Sequence, residues 1–167
     1  VPGGLMDLIA FYIRNSREAG GLLGQHLVLV GISTVVAAAI GMPLGVALTR
    51  HPRWRGPVLG LANVFQTVPS LALFGFLIPL PLIGGIGART AIVALVVYAL
   101  LPIIRNTYTG ITGVDPAVRE AGLGMGMRDR ELLWLVELPL AAPVILAGVR
   151  IATVVGVFTL DHNTLLG

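Results

Sequence analysis

Long apolar stretches separated by short polar connectors set the pattern of this chain. No Asp, Glu or Arg occurs from residue 19 to residue 49, and none from 56 to 88. A bilayer core takes about 20 apolar helical residues. The pattern therefore predicts four spans: Leu22–Leu48, Pro57–Leu80, Thr90–Gly110 and Leu132–Leu160. Pro79 and Pro81 end the second, and Gly84, Gly85 and Gly87 mark the turn into the third. Arg105 lies near one end of the third, and Glu137 and Arg150 interrupt the fourth. Ala37, Ala38, Ala39, Gly41 and Gly45 crowd the first span. Lipid supplies no hydrophobic force between helices, so small residues that let backbones approach predict a packed bundle.

Composition agrees. Hydrophobic residues make up 56% of the chain and charged residues 11%, against about 25% charged in soluble domains. Mean hydropathy is +0.92. The fold class expected is an all-α polytopic membrane bundle. The net charge of +3 comes from 11 arginines and no lysine. They sit at the ends of apolar spans and form no stripe, which argues against nucleic-acid binding. Arg50, Arg53 and Arg55 lie in the first connector and Arg119, Arg128 and Arg130 in the third, against Arg14, Arg17 and Arg89 on the other side. This excess puts the two connectors in the cytoplasm and the N-terminus outside. Residues 1–21 hold Phe11, Tyr12 and Ile13 beside Arg14 and Arg17. That segment reads as a short interfacial helix or a frayed terminus, not as a cleaved signal.

Several chemistries are absent. There is no Gly-x4-Gly-Lys-Ser/Thr loop and no lysine to reach nucleotide phosphates, so an ATPase has to be another chain. The run Gly122-Leu123-Gly124-Met125-Gly126 lacks the preceding strand and the spacing of a dinucleotide loop. With no cysteine, and with His26, His51 and His162 far apart, no metal set forms. Ser33 and Ser70 have no adjacent base. Neither catalysis nor a cofactor is expected.

The third connector, about residues 114–131, carries the most information. Asp115 suits an N-cap and Pro116 the first helical position. A short helix is expected from there to about Gly122, holding Glu120 and ended by glycines that permit sharp turns. Read alone, the connector could be a solvated loop. Its spacing says more: Glu120-Ala121-Gly122, three residues, Gly126, nine residues, then Val136-x-Leu138-Pro139. This resembles the EAA loop of permease subunits in bacterial ATP-binding-cassette (ABC) importers, with Gly122 in place of the second alanine and Val136 in place of isoleucine.

The resemblance extends to Pro43–Arg50 (PLGVALTR), Gln66–Leu80 (QTVPSLALFGFLIPL) and Tyr98–Met127, including Arg105-Asn106-Thr107-Tyr108. These segments are similar to osmoprotectant importer permeases, which move glycine betaine, choline or carnitine. The similarity covers about residues 22–160. It implies a multi-pass subunit of the bacterial inner membrane with the type I permease fold. It also implies a cytoplasmic ATPase docked at Glu120, Ala121, Gly122, Gly126, Leu138 and Pro139, an external substrate-binding protein, and a second permease, identical or paralogous. An importer of another solute such as methionine, or a small helical channel or secondary transporter, is the alternative. Only ten aromatic residues are present, scattered over several segments. A cation–π cage for a quaternary ammonium is therefore expected in the binding protein.

Polar residues inside spans are pathway candidates. Gln66, Thr67 and Ser70 flank Pro69, which can bend a helix at a gate, though small polar side chains commonly join helices instead. Arg150 either lines the pathway or pairs with Asp161 or Glu137, and paired burial is the usual solution. Glu137 is expected at the cytoplasmic helix end with no special role. After about Leu160 the sequence departs from the family, which continues with a glycine-rich segment and a further helix. Residues 161–167 read as an atypical tail, expected from a fragment, a frameshift or a truncated gene.

Overall fold

The computed structural model describes residues 16–68, 70–79 and 88–164. Residues 1–15 of the expected N-terminal segment, the Gly84–Gly87 turn and Pro69 lie outside them, and residues 16–21 of that segment open the first helix. The described residues are mostly helical, with no strand among them: α1 Ser16–Arg50, α2 Pro52–Thr67, α3 Ser70–Leu77, α4 Ala88–Thr112, α5 Pro116–Gly124, α6 Asp129–Leu132, a π-helical turn Leu133–Glu137, and α7 Leu138–Thr164. Three helical stretches are long and apolar enough to cross a membrane: Leu23–Arg50, Arg89–Thr112 and Asp129–Phe158.

The second expected span is corrected. In place of one helix from Pro57 to Leu80 there are two, starting at Pro52 and separated at Val68, whose backbone is extended. The residue before a proline is pushed away from helical geometry, so the Val68-Pro69 step breaks the helix. The chain still crosses the bundle here. Arg55 stacks on Tyr108, the Tyr98 hydroxyl donates to the Val68 carbonyl, and Leu73 and Leu77 cluster with Ala94 and Tyr98. Rising numbers on α2–α3 meet falling numbers on α4, so the broken helix runs antiparallel to α4.

Helix α4 is the centre of the bundle. Inside the molecule, 56% of its most apolar stretch is buried, against 22% for α1 and 28% for the last span. Along α1 the contacts climb in step with α4: Val30 with Leu95, Ala37 with Ala99 and Ile103, Gly45 beside Thr107. The two helices are parallel, which requires the intervening segment to return across the membrane. Helix α7 is antiparallel to α4, with Gly110 against Ala141 and Gly148 against Asn106. The glycines set these distances. A Cβ on Gly148 would lie 2.6 Å from the Asn106 Cβ and 2.8 Å from the Pro102 carbonyl oxygen. Small residues thus bring the backbones together, as lipid-embedded packing demands.

Candidate functional site

The ends of α1, α4 and α7 and all of α5 gather at one face of the bundle. Asp115 caps α5, its Oδ1 accepting from the Ala117 N–H at 2.9 Å. Pro116 follows at the first helical position, where its missing N–H is no loss. The helix runs to Gly124, two residues beyond the expected end. Its C-terminal N–H groups close back: Met125 donates to Ala121, Gly126 to Leu123 and Met127 to Gly122. Gly126 alone among the described residues has positive φ, +85°, a conformation that glycine adopts without steric cost.

Helix α5 has two unlike faces. Gly122 is buried and Arg119 partly so, three residues apart and therefore on one side. A Cβ on Gly122 would come within 2.7 Å of Leu132 Cδ1, which accounts locally for glycine where the family pattern has alanine. The opposite side exposes Glu120 and Ala121, with Val118 and Leu123 exposed on its two flanks, and Met125 follows at its end. An apolar cluster around a lone carboxylate on a projecting short helix has the composition of a contact surface. Past the tip, Arg128 N–H donates to Glu131 Oε2 at 2.7 Å, closing the start of α6. Leu138 is half-buried against Ile111, Ala141 and Ile145, and Pro139 is exposed.

Glu137 overturns its sequence reading. It is completely buried, with Arg50 Nη2 donating to Oε2 at 2.8 Å and Arg119 Nε 2.7 Å from Oε1. Asp129 stands 3.9 Å from Arg50 Nε. The π turn turns Glu137 inward, since Leu138 N–H bonds the Leu133 carbonyl five residues back. Buried positions then fall at Leu132, Glu137, Ala141, Ile145, Gly148 and Ala152. The step of five, among steps of three and four, marks the extra residue. One signal was available: a single carboxylate inside Leu132–Leu140 with arginines in the first and third connectors. Reading Glu137 as a helix end discarded it.

The expected pairing of Arg150 with Glu137 is corrected too. They are 13 positions apart on the same helical stretch, about 20 Å at a rise of 1.5 Å per residue. Arg150 is exposed, on the side of α7 away from α4. Thr67 is also exposed and its hydroxyl caps the Val64 carbonyl at 2.7 Å. The side chains of Gln66, Ser70 and Asp161 lie outside the described residues. A cavity of about 200 Å³ opens between α2 and α4, lined by Arg55, Leu59, Asn63, Arg105 and Tyr108. The Arg55 guanidinium sits 5.0 Å from the Tyr108 ring centre.

Comparison with known proteins matches residues 38–167 to the model of a family described as binding-protein-dependent transport system inner membrane component. The osmoprotectant import permease protein OsmW of Salmonella typhimurium is 44% identical over 97% of this chain and 76% of its own length. The glycine betaine/carnitine/choline transport system permease protein OpuCB of Bacillus subtilis is 46% identical over 89% of this chain and 67% of its own. The choline transport system permease protein OpuBB of the same organism is 48% identical over 88% and 66%. Among solved structures, an inward-facing MetNI methionine ABC transporter superposes with a TM-score of 0.75 at 25% identity, covering 87% of this chain and 72% of that one.

Proposed function

The chain belongs to the family of binding-protein-dependent transport system inner membrane components, and on that premise we propose that it forms the pathway of an ATP-driven osmoprotectant importer and docks the ATPase through α5. Its relatives at 44–48% identity are named for osmoprotectant, for glycine betaine, carnitine and choline, or for choline transport. The methionine transporter shares the fold at 25% identity, so the osmoprotectant class is preferred. The chain is an inner-membrane permease, and the ATPase is a separate subunit.

The outward face of α5 carries the docking proposal. Glu120 and Ala121 are exposed on the side of α5 away from the bundle, flanked by the exposed Val118 and Leu123, while Gly122 packs against Leu132. A helix seated on one side and bare on the other can be pushed as a body. A channel or secondary transporter has no use for it. Gly126, Leu138 and Pro139 set its exit and the start of α7.

Arg150 supports a second permease across α7. It lies 12 residues beyond Leu138, about 18 Å along the helix, which is mid-depth in a hydrocarbon core about 30 Å thick. A guanidinium facing lipid there is costly. Water in a pathway or a polar partner on a second permease covers it. Gln66, Thr67 and Ser70 mark the broken second crossing as another pathway wall. An external binding protein supplies the solute.

Co-purification with the osmoprotectant ATPase encoded beside the chain tests the docking. The unchanged chain should retain the ATPase and Glu120→Arg should lose it. Equal retention by both sinks the docking reading and leaves α5 a connector.

A further inference from the structure

Glu137 joins three segments that the fold brings together at the face bearing α5. Arg50 ends α1, Arg119 belongs to α5, and Glu137 ends the π turn leading into α7. Two guanidiniums against one carboxylate leave an excess positive charge. Asp129 offsets it from the exposed side, 3.9 Å from Arg50 Nε. The π turn makes the arrangement possible. In a regular α-helix a step of five residues from Leu132 would swing Glu137 about 140° off the buried face. Such turns collect at functional positions.

We propose that Glu137 is a positioning residue that rivets α5 to the adjoining ends of α1 and α7, so that a displacement of α5 is delivered to two long helices at once. This rests on the docking of an ATPase against α5. The burial of Glu137 keeps the rivet closed through the transport cycle, because opening it strands a carboxylate away from water and partner.

The two arms differ. Arg50 aims an N–H at the carboxylate, forming a directed hydrogen bond. Arg119 Nε comes equally close, yet its N–H is not directed at Oε1 and has no hydrogen-bond partner among the described residues. That arm is a charge contact. It survives small rotations of α5, and it needs a positive charge more than it needs the planar fork of a guanidinium.

The test uses the assembled importer in proteoliposomes, with its ATPase and binding protein. Three quantities are read: ATPase retained on purification, ATP hydrolysed, and solute taken up per ATP. Arg119→Gln and Glu137→Gln should retain the ATPase while solute per ATP falls by roughly three- to thirtyfold, the span of coupling energies on such networks. Arg119→Lys should restore it. Normal solute per ATP in Arg119→Gln overturns the proposal, and so does failure of Arg119→Lys alongside it. Loss of the ATPase from a folded Glu137→Gln importer also overturns it, since the defect would then be one of seating. Where Glu137→Gln does not fold, the partly exposed Arg119 arm carries the test. Failure of the docking reading shows separately, as ATPase held by Glu120→Arg.

Discussion

Gly45 of α1 lies so close to Thr107 of α4 that a Cβ added to it would stand 2.6 Å from the Thr107 Cβ and 3.0 Å from the Ile104 carbonyl oxygen. Neither obstacle is a flexible side-chain end, so α1 would have to move off α4. Gly45→Ala is expected to destabilise the bundle by about 1–3 kcal/mol, the usual cost of overpacking. Gly60→Ala, with open space around its Cβ, should not. Thermal unfolding in detergent, followed by loss of the monodisperse peak, compares them. Equal midpoints would mean that the seam is looser than the structure has it.

Thr107 also buries a hydroxyl that has no hydrogen-bond partner among the described residues. A buried group left unpaired costs about 1–3 kcal/mol. Thr107→Val keeps the shape and removes the hydroxyl, so its unfolding midpoint should equal or exceed that of the unchanged protein. A marked fall would show that the hydroxyl has a partner, such as a water or a second subunit.

Much of this was legible in the sequence because lipid imposes simple demands. Uncharged runs located α1 and the second crossing, long apolar runs with few charges located α4 and α7, and the small residues Gly41 and Gly45 announced their own contact. Asp115, Pro116 and Gly126 read as cap, first turn and sharp exit by local rules, and the structure has them so. The break at Val68-Pro69 was less visible, because an apolar run looks the same whether it is one helix or two. Glu137 was misread for a deeper reason. Its surroundings depend on an extra residue in one turn and on arginines 87 and 18 positions away, neither of which a helical periodicity reports. Arg150 was set against partners on its own helix, where rise alone forbids contact.

Tyr98 holds the broken second crossing. Its hydroxyl donates to the carbonyl of Val68, a group left without an intrahelical partner where α2 ends. Tyr98→Phe frees that carbonyl in an apolar setting, at a cost of about 1–3 kcal/mol. The loss should fall on α3 first. Hydrogen exchange should rise at residues 70–77 more than in α4. Uniform exchange across both would remove the tie as the feature that orders the break.

Gly126 tests the exit from α5. At φ +85° a side chain adds steric cost, about 1–2 kcal/mol for the left-handed conformation. Asparagine tolerates that region better than a β-branched residue does. Gly126→Val should therefore weaken ATPase retention more than Gly126→Asn. Gly124→Ala has open space and an ordinary φ and should change little. The same ranking in retention and in thermal midpoint is expected, because the strain acts by shifting α5.

On the proposed pathway, Arg150 is expected to separate solutes by charge. Glycine betaine and carnitine carry a carboxylate beside the quaternary nitrogen, and choline carries none. A guanidinium facing a wetted pathway at mid-depth attracts the carboxylate and repels the cation. Arg150→Gln should therefore slow uptake of the carboxylate-bearing solutes relative to choline, with the ATPase still bound. Uptake is measured in proteoliposomes with the binding protein saturated, so that its own selectivity drops out. Equal slowing of all three would assign Arg150 to the contact with the second permease. In that case Arg150→Gln should also loosen the permease pair, and chemical cross-linking of that pair in the membrane reads this directly.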